Sequence, residues 1–292
     1  MKLEQQQELM ARLSIMQKLS LAEAMEILNV SESTIRRIFA KMEKEGVAIR
    51  THGGIQSASG AMTRYSFEYG TKTNIEKKTA IAREACKLLK NGDVIFCDTG
   101  TTTQCFCAEL VCRIKREGLN VKLYTNSLAN LELLSPYMPV TLIGGEYRPN
   151  RKDFCGYLTD QALTGLYFSK SFVGADGCVH GRQFTTTDFD TARMNQIAMR
   201  NTDQNIMLVD SSKFSVSAHV AYAPLEMLHT IVTDTGIRPE MLAQLKSSHV
   251  QVICADVSKP SADETQTCIS LRKEPKRRKE SRYETSHSHP VF

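Results

Sequence analysis

Asp93-Val94-Ile95-Phe96-Cys97-Asp98-Thr99-Gly100-Thr101-Thr102-Thr103 is the stretch on which the fold turns. Val94 to Cys97 is a short apolar run with the content of a buried strand. Asp98-Thr99-Gly100 breaks it, and Thr101-Thr102-Thr103 leads into a segment with helical character. A strand–turn–helix with glycine at the turn leaves backbone N–H groups at the positive end of a helix dipole. Hydroxyls and a carboxyl crowd the same lip, which makes it a place to hold an anion such as phosphate. Taken alone, the stretch is equally an ordinary Thr/Gly turn that caps a helix. The rest of the chain decides between the two.

Downstream the same grammar repeats. Strand candidates follow at 121–125, 140–143, 171–174, 206–209, 230–233 and 250–254, with helical stretches between most of them. A capped helix from Asn74 to Leu89 precedes the first. Continuous Val/Ile/Leu strands alternating with helices indicate an α/β domain with a mainly parallel sheet. In such sheets ligands bind outside the carboxyl ends of the strands. The polar motifs stand at those ends: Asp98 to Thr103, Thr125-Asn126-Ser127, Gly144-Gly145, Asp176 within Gly174-Ala175-Asp176-Gly177, and Asp210 to Lys213. Each is weak alone, because turns favour these residues anyway. Five on one edge make a kit for a small polyhydroxylated anion. Backbone N–H groups and Lys213 suit a phosphate; Asp98 and Asp176 suit sugar hydroxyls.

The first 56 residues are different. Leu9, Leu13 and Met16 recur at helical spacing. Ser20-Leu21-Ala22-Glu23 is a capping box that opens a helix, Asn29-Val30 breaks it, and Ser31 caps the next helix, from Glu32 to about Lys44. Ile35, Ile38, Phe39 and Met42 form its apolar stripe. The other face presents Ser33, Thr34, Arg36, Arg37 and Lys41. Gly46 ends that helix, Val47 to Arg50 alternates like a strand, and Thr51-His52-Gly53-Gly54 turns tightly. Two short helices and a β-hairpin make a winged helix-turn-helix. The second helix is slim at its front and carries two guanidinium groups that reach guanine edges or phosphates. Ser31, Ser33, Thr34, Arg36, Arg37 and Lys41 on the helix, with Arg50 and His52 on the wing, are the expected contacts to double-stranded DNA.

Val30 to Arg37, then Gly46 to Gly54, resembles the DNA-binding module of the DeoR family of bacterial transcription regulators. The resemblance runs from about Gln5 to Cys254, and its most specific motifs are Asp98–Thr103, Thr125-Asn126-Ser127 and Asp210 to Phe214. It implies a C-terminal effector domain with the ribose-phosphate isomerase and CoA-transferase fold, a phosphorylated sugar as effector, and a homo-oligomer, dimer or tetramer. It also adds Asp210 and Lys213 to the effector contacts. Three positions depart from the family. Ile38 stands where an Asp is usual, Thr191 where a Glu precedes Ala, and Asn195 near where a Lys is common.

The expected division is 1–56 winged helix, 57–73 linker, 74–258 effector domain and 259–292 a disordered basic tail. The net charge of +5 is unevenly placed. Seven Lys/Arg and three Glu after residue 271 contribute +4, leaving about +1 elsewhere, so local clusters carry the case for DNA. Nine scattered cysteines read as reduced thiols of a cytoplasmic protein rather than zinc ligands. No metal, cofactor or membrane span is expected.

An isomerase is the rival class, because Asp98 or Asp176 can serve as a carboxylate base. No Glu or His accompanies them at the strand ends, and a winged helix has no use in an isomerase. A DNA-binding protein with a vestigial pocket is the second alternative, raised by Thr191 and Asn195.

Overall fold

The computed structural model describes residues 2–16, 18–44, 48–57 and 67–258. The basic tail and Gly46 lie outside the described residues.

The N-terminal elements are helix α1 (Lys2–Met16), strand β1 (Lys18–Ser20), helices α2 (Leu21–Leu28) and α3 (Glu32–Lys44), and strands β2 (Ala48–Thr51) and β3 (Gly54–Ser57). The Ser20 capping box is formed. Glu23 N–H donates to Ser20 Oγ at 3.1 Å, and Ser20 N–H donates to Glu23 Oε2 at 2.7 Å. Asn29 closes α2 in the left-handed region, with φ 48°. Leu9, Leu13, Ala24, Ile35, Ile38, Phe39 and Met42 share one core with Ala48 and Ile55. Met16, grouped with that stripe on spacing, is exposed instead. The wing has three strands rather than two, in the antiparallel order β1-β3-β2. Gly54 permits this, since a Cβ there would meet the Leu19 carbonyl oxygen at 2.1 Å.

The larger part opens with a helical turn α4 (Phe67–Gly70) whose Phe67 is buried, and whose backbone N–H donates to the Asn150 carbonyl. It continues α5 (Ile75–Cys86), β4 (Val94–Cys97), α6 (Thr101–Glu117), β5 (Lys122–Thr125), α7 (Leu128–Leu134) and β6 (Val140–Leu142). A hairpin β7 (Glu146–Arg148) and β8 (Asp153–Cys155) follows, then α8 (Tyr157–Thr164) and β9 (Phe168–Gly174). Next come β10 (Gly177–Val179), β11 (Gln183–Thr186), α9 (Phe189–Arg200), β12 (Thr202–Leu208) and a 3-10 turn (Ser211–Ser215). The chain then runs β13 (Val220–Pro224), β14 (Thr230–Asp234), α10 (Pro239–Lys246) and β15 (Gln251–Ala255).

All seven strands expected from sequence join one parallel sheet in the order β15-β14-β12-β9-β4-β5-β6. Helices cover both faces, as the strand alternation requires. Phe172 of β9 stacks on Phe106 of α6, ring centroids 4.1 Å apart. Its neighbour Val173 shares the opposite core with Ala192, Met194 and Ala198 of α9. Burying rings such as Phe96, Phe106, Phe172 and Phe184 contributes about 1.5–3 kcal/mol each. The chain moves outward from β4 to β5 and β6, then returns to lay β9 on the other side of β4. The gap beyond the carboxyl ends of β4 and β9 is therefore the topological switch point. A second, antiparallel sheet, β10-β11-β13, stands beside it and was not expected from sequence.

Candidate functional site

Asp98 leaves β4 at the switch point and Asp176 follows β9 there. Gly100 turns the chain into α6 with φ 154°, in the region that favours glycine. Thr103 Oγ1 donates back to the Gly100 carbonyl at 3.0 Å, which braces the turn. Thr99 Oγ1 donates to the Arg151 carbonyl at 3.4 Å, and Thr102 is buried beside them.

Asp98 is 2% exposed. Its Oδ2 accepts from Asn195 Nδ2 at 2.9 Å and from Gly174 N–H at 3.5 Å. Its Oδ1 has no hydrogen-bond partner among the described residues, and neither has Asn195 Oδ1. Burial drives the Asp98 carboxyl up to about 7, and the Asp153 charge adds to this against the bonds from Asn195 and Gly174. Tyr222 closes the same corner by donating to the Gly174 carbonyl. Its phenol is held well above its ordinary value, first by burial and then by Asp98 and Asp176. Asp176 Oδ2 accepts from Thr187 N–H at 2.9 Å and from the Thr186 and Thr187 hydroxyls at 3.0 Å. Thr187 Oγ1 also receives Arg151 Nη2 at 2.7 Å. Arg151 thus spans the site from Thr99 to Thr187.

The first turn of α5 ties the two ends of this edge together. Asn74 stands before it with φ 52°, and its side chain does not cap the helix as expected. Its amide instead reaches Asp210 Oδ1 at 3.1 Å and Ser212 Oγ at 3.4 Å. Lys77 Nζ donates to Ser211 Oγ at 2.7 Å and pairs with the buried Asp234 at 3.4 Å. Lys78 Nζ donates to Thr101 Oγ1 at 2.9 Å. The loop that carries Lys213 and the loop that carries Thr101 are therefore held on one sheet edge by three positions of one helix.

Several expected ligand contacts are spent within the fold. Thr125 Oγ1 donates to the Cys97 carbonyl at 2.7 Å and is fully buried. Asn126 Nδ2 donates to the Phe154 carbonyl. Ser127 caps α7 by accepting from Asn130 N–H. Gly144 accepts from Thr159 Oγ1, and a Cβ on Gly145 would meet that same oxygen at 2.2 Å. Asp210 is 1% exposed and caps the 3-10 turn through Ser212 N–H. These residues shape the rim. Of the other residues expected to contact an effector, Asp98 keeps one oxygen without a partner among the described residues, Thr101 accepts from Lys78, and Asp176 accepts from Thr186 and Thr187. The ammonium of Lys213 makes no hydrogen bond or ion pair among the described residues.

Sequence offered no signal for Lys78, Arg151 or Thr187. Asn195 and Thr191 were visible only as departures, and both are buried. Thr191 receives Arg148 Nη2 at 2.9 Å and bonds Asp188, which caps α9. Arg148 also grips Asp153 with two bonds of 2.9 and 2.8 Å and pairs with Asp188. Burial pushes the Asp188 carboxyl up, but the Thr191 N–H and Arg148 outweigh it and bring it down to about 2. A cavity of about 600 Å³ lies at the opposite end of the strands. There Lys170 is already paired with Asp93 at 2.7 Å. No group of three or more His, Cys, Asp or Glu among the described residues could hold a metal ion.

On α3, Ile35, Ile38, Phe39 and Met42 are buried, while Ser31, Ser33, Arg36, Arg37 and Lys41 are exposed and Thr34 is half-buried. The Ser31 carbonyl starts the helix, and its hydroxyl lies 3.1 Å from those of Ser33 and Thr34. Arg36 pairs with Glu32 at 2.7 Å. On the wing Arg50 lies 3.8 Å from Glu43, and His52 is exposed at the turn.

Residues 5–61 match the DeoR-like helix-turn-helix domain model, and residues 73–235 match the DeoR C-terminal sensor domain model. The chain belongs to the DeoR family. A lactose phosphotransferase system repressor of Lactococcus lactis subsp. lactis is 32% identical over 242 residues, covering 82% of this chain and 92% of the relative. A putative aga operon transcriptional repressor of Escherichia coli O157:H7 is 28% identical and covers 86% and 93%. Among solved structures, ribose 5-phosphate isomerase A of Methanocaldococcus jannaschii aligns at 26% identity and a TM-score of 0.38, over 49% of this chain and 55% of that one. As a DeoR-family member the chain is a DNA-binding transcription regulator. No helix among the described residues is long and apolar enough to cross a membrane.

Proposed function

We propose that this regulator represses a carbohydrate-metabolism operon and that a phosphorylated sugar, bound at the carboxyl ends of β4 and β9, sets its grip on DNA. The observation that carries this is the linkage made by α5. Asn74, Lys77 and Lys78 bring the Asp210–Lys213 turn and the Thr101 helix start to one edge. Lys213 and the N–H groups at the start of α6 suit a phosphate, with Arg151 and Lys78 adding positive charge at the rim. Asp98 and Asp176 suit hydroxyls. The Lactococcus relative is named a lactose phosphotransferase system repressor, which accords with a carbohydrate operon.

In this reading residues 1–56 hold operator DNA, 57–73 link, and 74–258 sense. The protein works as a homo-oligomer in the cytoplasm and not as an enzyme. Paired recognition helices grip repeated half-sites, and the ligand favours a subunit arrangement that no longer matches their spacing. Coupling of about 1–3 kcal/mol per site needs several subunits for a sharp response. A thermal-shift screen of phosphorylated sugars tests it, because a specific ligand stabilises the folded state by mass action. A hit that also releases operator DNA supports repression by this route. A screen in which no sugar phosphate shifts the melting temperature leaves a DNA-binding protein with a vestigial pocket.

A further inference from the structure

The deepest part of the site is made of acceptors. Asp98 and Asn195 are 2% and 0% exposed and are joined by one bond of 2.9 Å. The second oxygen of each, Asp98 Oδ1 and Asn195 Oδ1, is buried without a donor among the described residues. A buried acceptor left unpaired costs about 1–3 kcal/mol. Asn126 Oδ1 and Asn130 Oδ1 are also buried without a donor among the described residues, but Asp98 and Asn195 are bonded to each other, so their two unpaired oxygens belong to one corner of the site. Among the described residues no cation bonds either side chain, and the backbone N–H groups of Gly174 and Thr99 favour the ionised carboxyl without outweighing its burial. Gly174 gives a backbone N–H to Asp98 Oδ2, Tyr222 spends its hydroxyl on the Gly174 carbonyl, and Asp176 is a further acid nearby.

Resting on the sugar-phosphate reading above, we propose that Asp98 and Asn195 select effectors by what lies at the end away from the phosphate. That end must present hydrogen-bond donors, as an alcohol or hydrated aldose does. A sugar acid, whose terminal carboxylate accepts only, is excluded. The physical reason has two parts. A hydroxyl or a pair of hydroxyls satisfies both orphan oxygens at once. Above about pH 7, where Asp98 is ionised, a carboxylate satisfies neither and sets a like charge against Asp98 where water does not screen it. Asn195 is thus a specificity-determining residue of the sensor. A basic side chain at this position would invite the acid that the amide repels.

Matched pairs that differ only at carbon 1 test this on the full-length protein. Glucose, galactose and ribose phosphates, phosphorylated on their terminal carbon, are each compared with the corresponding phosphorylated aldonic acid. The readouts are thermal shift and titration calorimetry at pH 8, where Asp98 is ionised, with inorganic phosphate as the control. The expected result is that at least one aldose phosphate binds ten-fold or more tighter than its acid. Asn195→Lys should narrow or invert that ratio while still binding inorganic phosphate as the parent does. Asp98→Asn should narrow it as well, which keeps the test alive if the lysine variant does not fold. Equal or tighter binding of the acid by the parent overturns the donor rule and leaves the sugar-phosphate reading standing. Binding of no phosphorylated sugar in either series removes that underlying reading, and the inference with it.

Discussion

Lys78 Nζ lies 2.9 Å from Thr101 Oγ1 and 2.7 Å from the Gly70 carbonyl oxygen, with the lysine 4% exposed. This contact fastens the first turn of α6 to α5. Lys78→Met keeps the aliphatic stem and removes the donor. Leaving the buried carbonyl and hydroxyl without it should cost about 1–3 kcal/mol of stability. Urea unfolding measures this directly. A variant as stable as the parent would show the ammonium to be dispensable to the fold.

Asp98 makes stability depend on pH in an unusual direction. Its carboxyl sits at about 7 in the folded protein against the ordinary value near 4 when unfolded. Between those values the folded state holds a proton that the unfolded state has lost. The stability it carries is present in full below about pH 4 and is lost as pH rises through about 7. The penalty at pH 8 is on the order of a few kcal/mol. The Asp153 charge adds to the rise, while the bonds from Asn195, Gly174 and Thr99 oppose it without overcoming burial. Asp98→Asn carries no such charge, so it should raise the melting temperature at pH 8 and change it little at pH 4.5. The opposite order would mean that the carboxylate is stabilised by folding.

The parallel sheet was legible because its strands are continuous apolar runs closed by turn residues, a pattern that burial on both faces produces. The polar strand ends were legible for the same reason. What escaped was whatever depends on pairing across the fold. The β10–β11 turn uses His180 and Gly181, both with positive φ, and lacks the Asn-Gly or Asp-Gly signal that usually marks such a turn. Asn74 looked like a helix cap but spends its amide on a loop 136 residues away. Arg151 sits on a hairpin turn between polar neighbours, where nothing local separates a surface arginine from one that is 8% exposed. Thr125 and Ser127 were assigned to the ligand because loop residues with hydroxyls look alike in sequence. Only the Cys97 carbonyl and the start of α7 reveal that their oxygens are already used.

Arg148 holds the β7–β8 hairpin to α9 through Asp153, Asp188 and Thr191. Asp153 is fully buried, so removal of the guanidinium leaves an uncompensated charge. Arg148→Ala should destabilise by roughly 3–5 kcal/mol. Arg148→Lys should recover little, because an ammonium cannot repeat the fork that binds both Asp153 oxygens. Thermal unfolding of the two variants side by side checks this. Full recovery by lysine would reduce the role of the fork to simple charge.

Arg36 offers the sharpest test on the DNA side. Its Nε and Nη2 both lie 2.7 Å from Glu32 Oε1, and the two side chains are 57% and 53% exposed. Such a pair on a helix surface is worth only about 0.3–0.5 kcal/mol, so DNA can displace it with small loss. Arg36→Ala should leave folding within about 0.5 kcal/mol of the parent and weaken operator binding by about 1–3 kcal/mol. If the guanidinium reads a base edge, preference among operator variants relaxes at one position. If it meets phosphate, affinity falls evenly and the salt slope drops by about one. Glu32→Gln separates both from a structural role, since it frees the arginine and removes a negative charge from the approaching face. It should tighten DNA binding while leaving the helix intact. Weaker binding by Glu32→Gln would mean that the pair orients Arg36 for contact instead of competing with it.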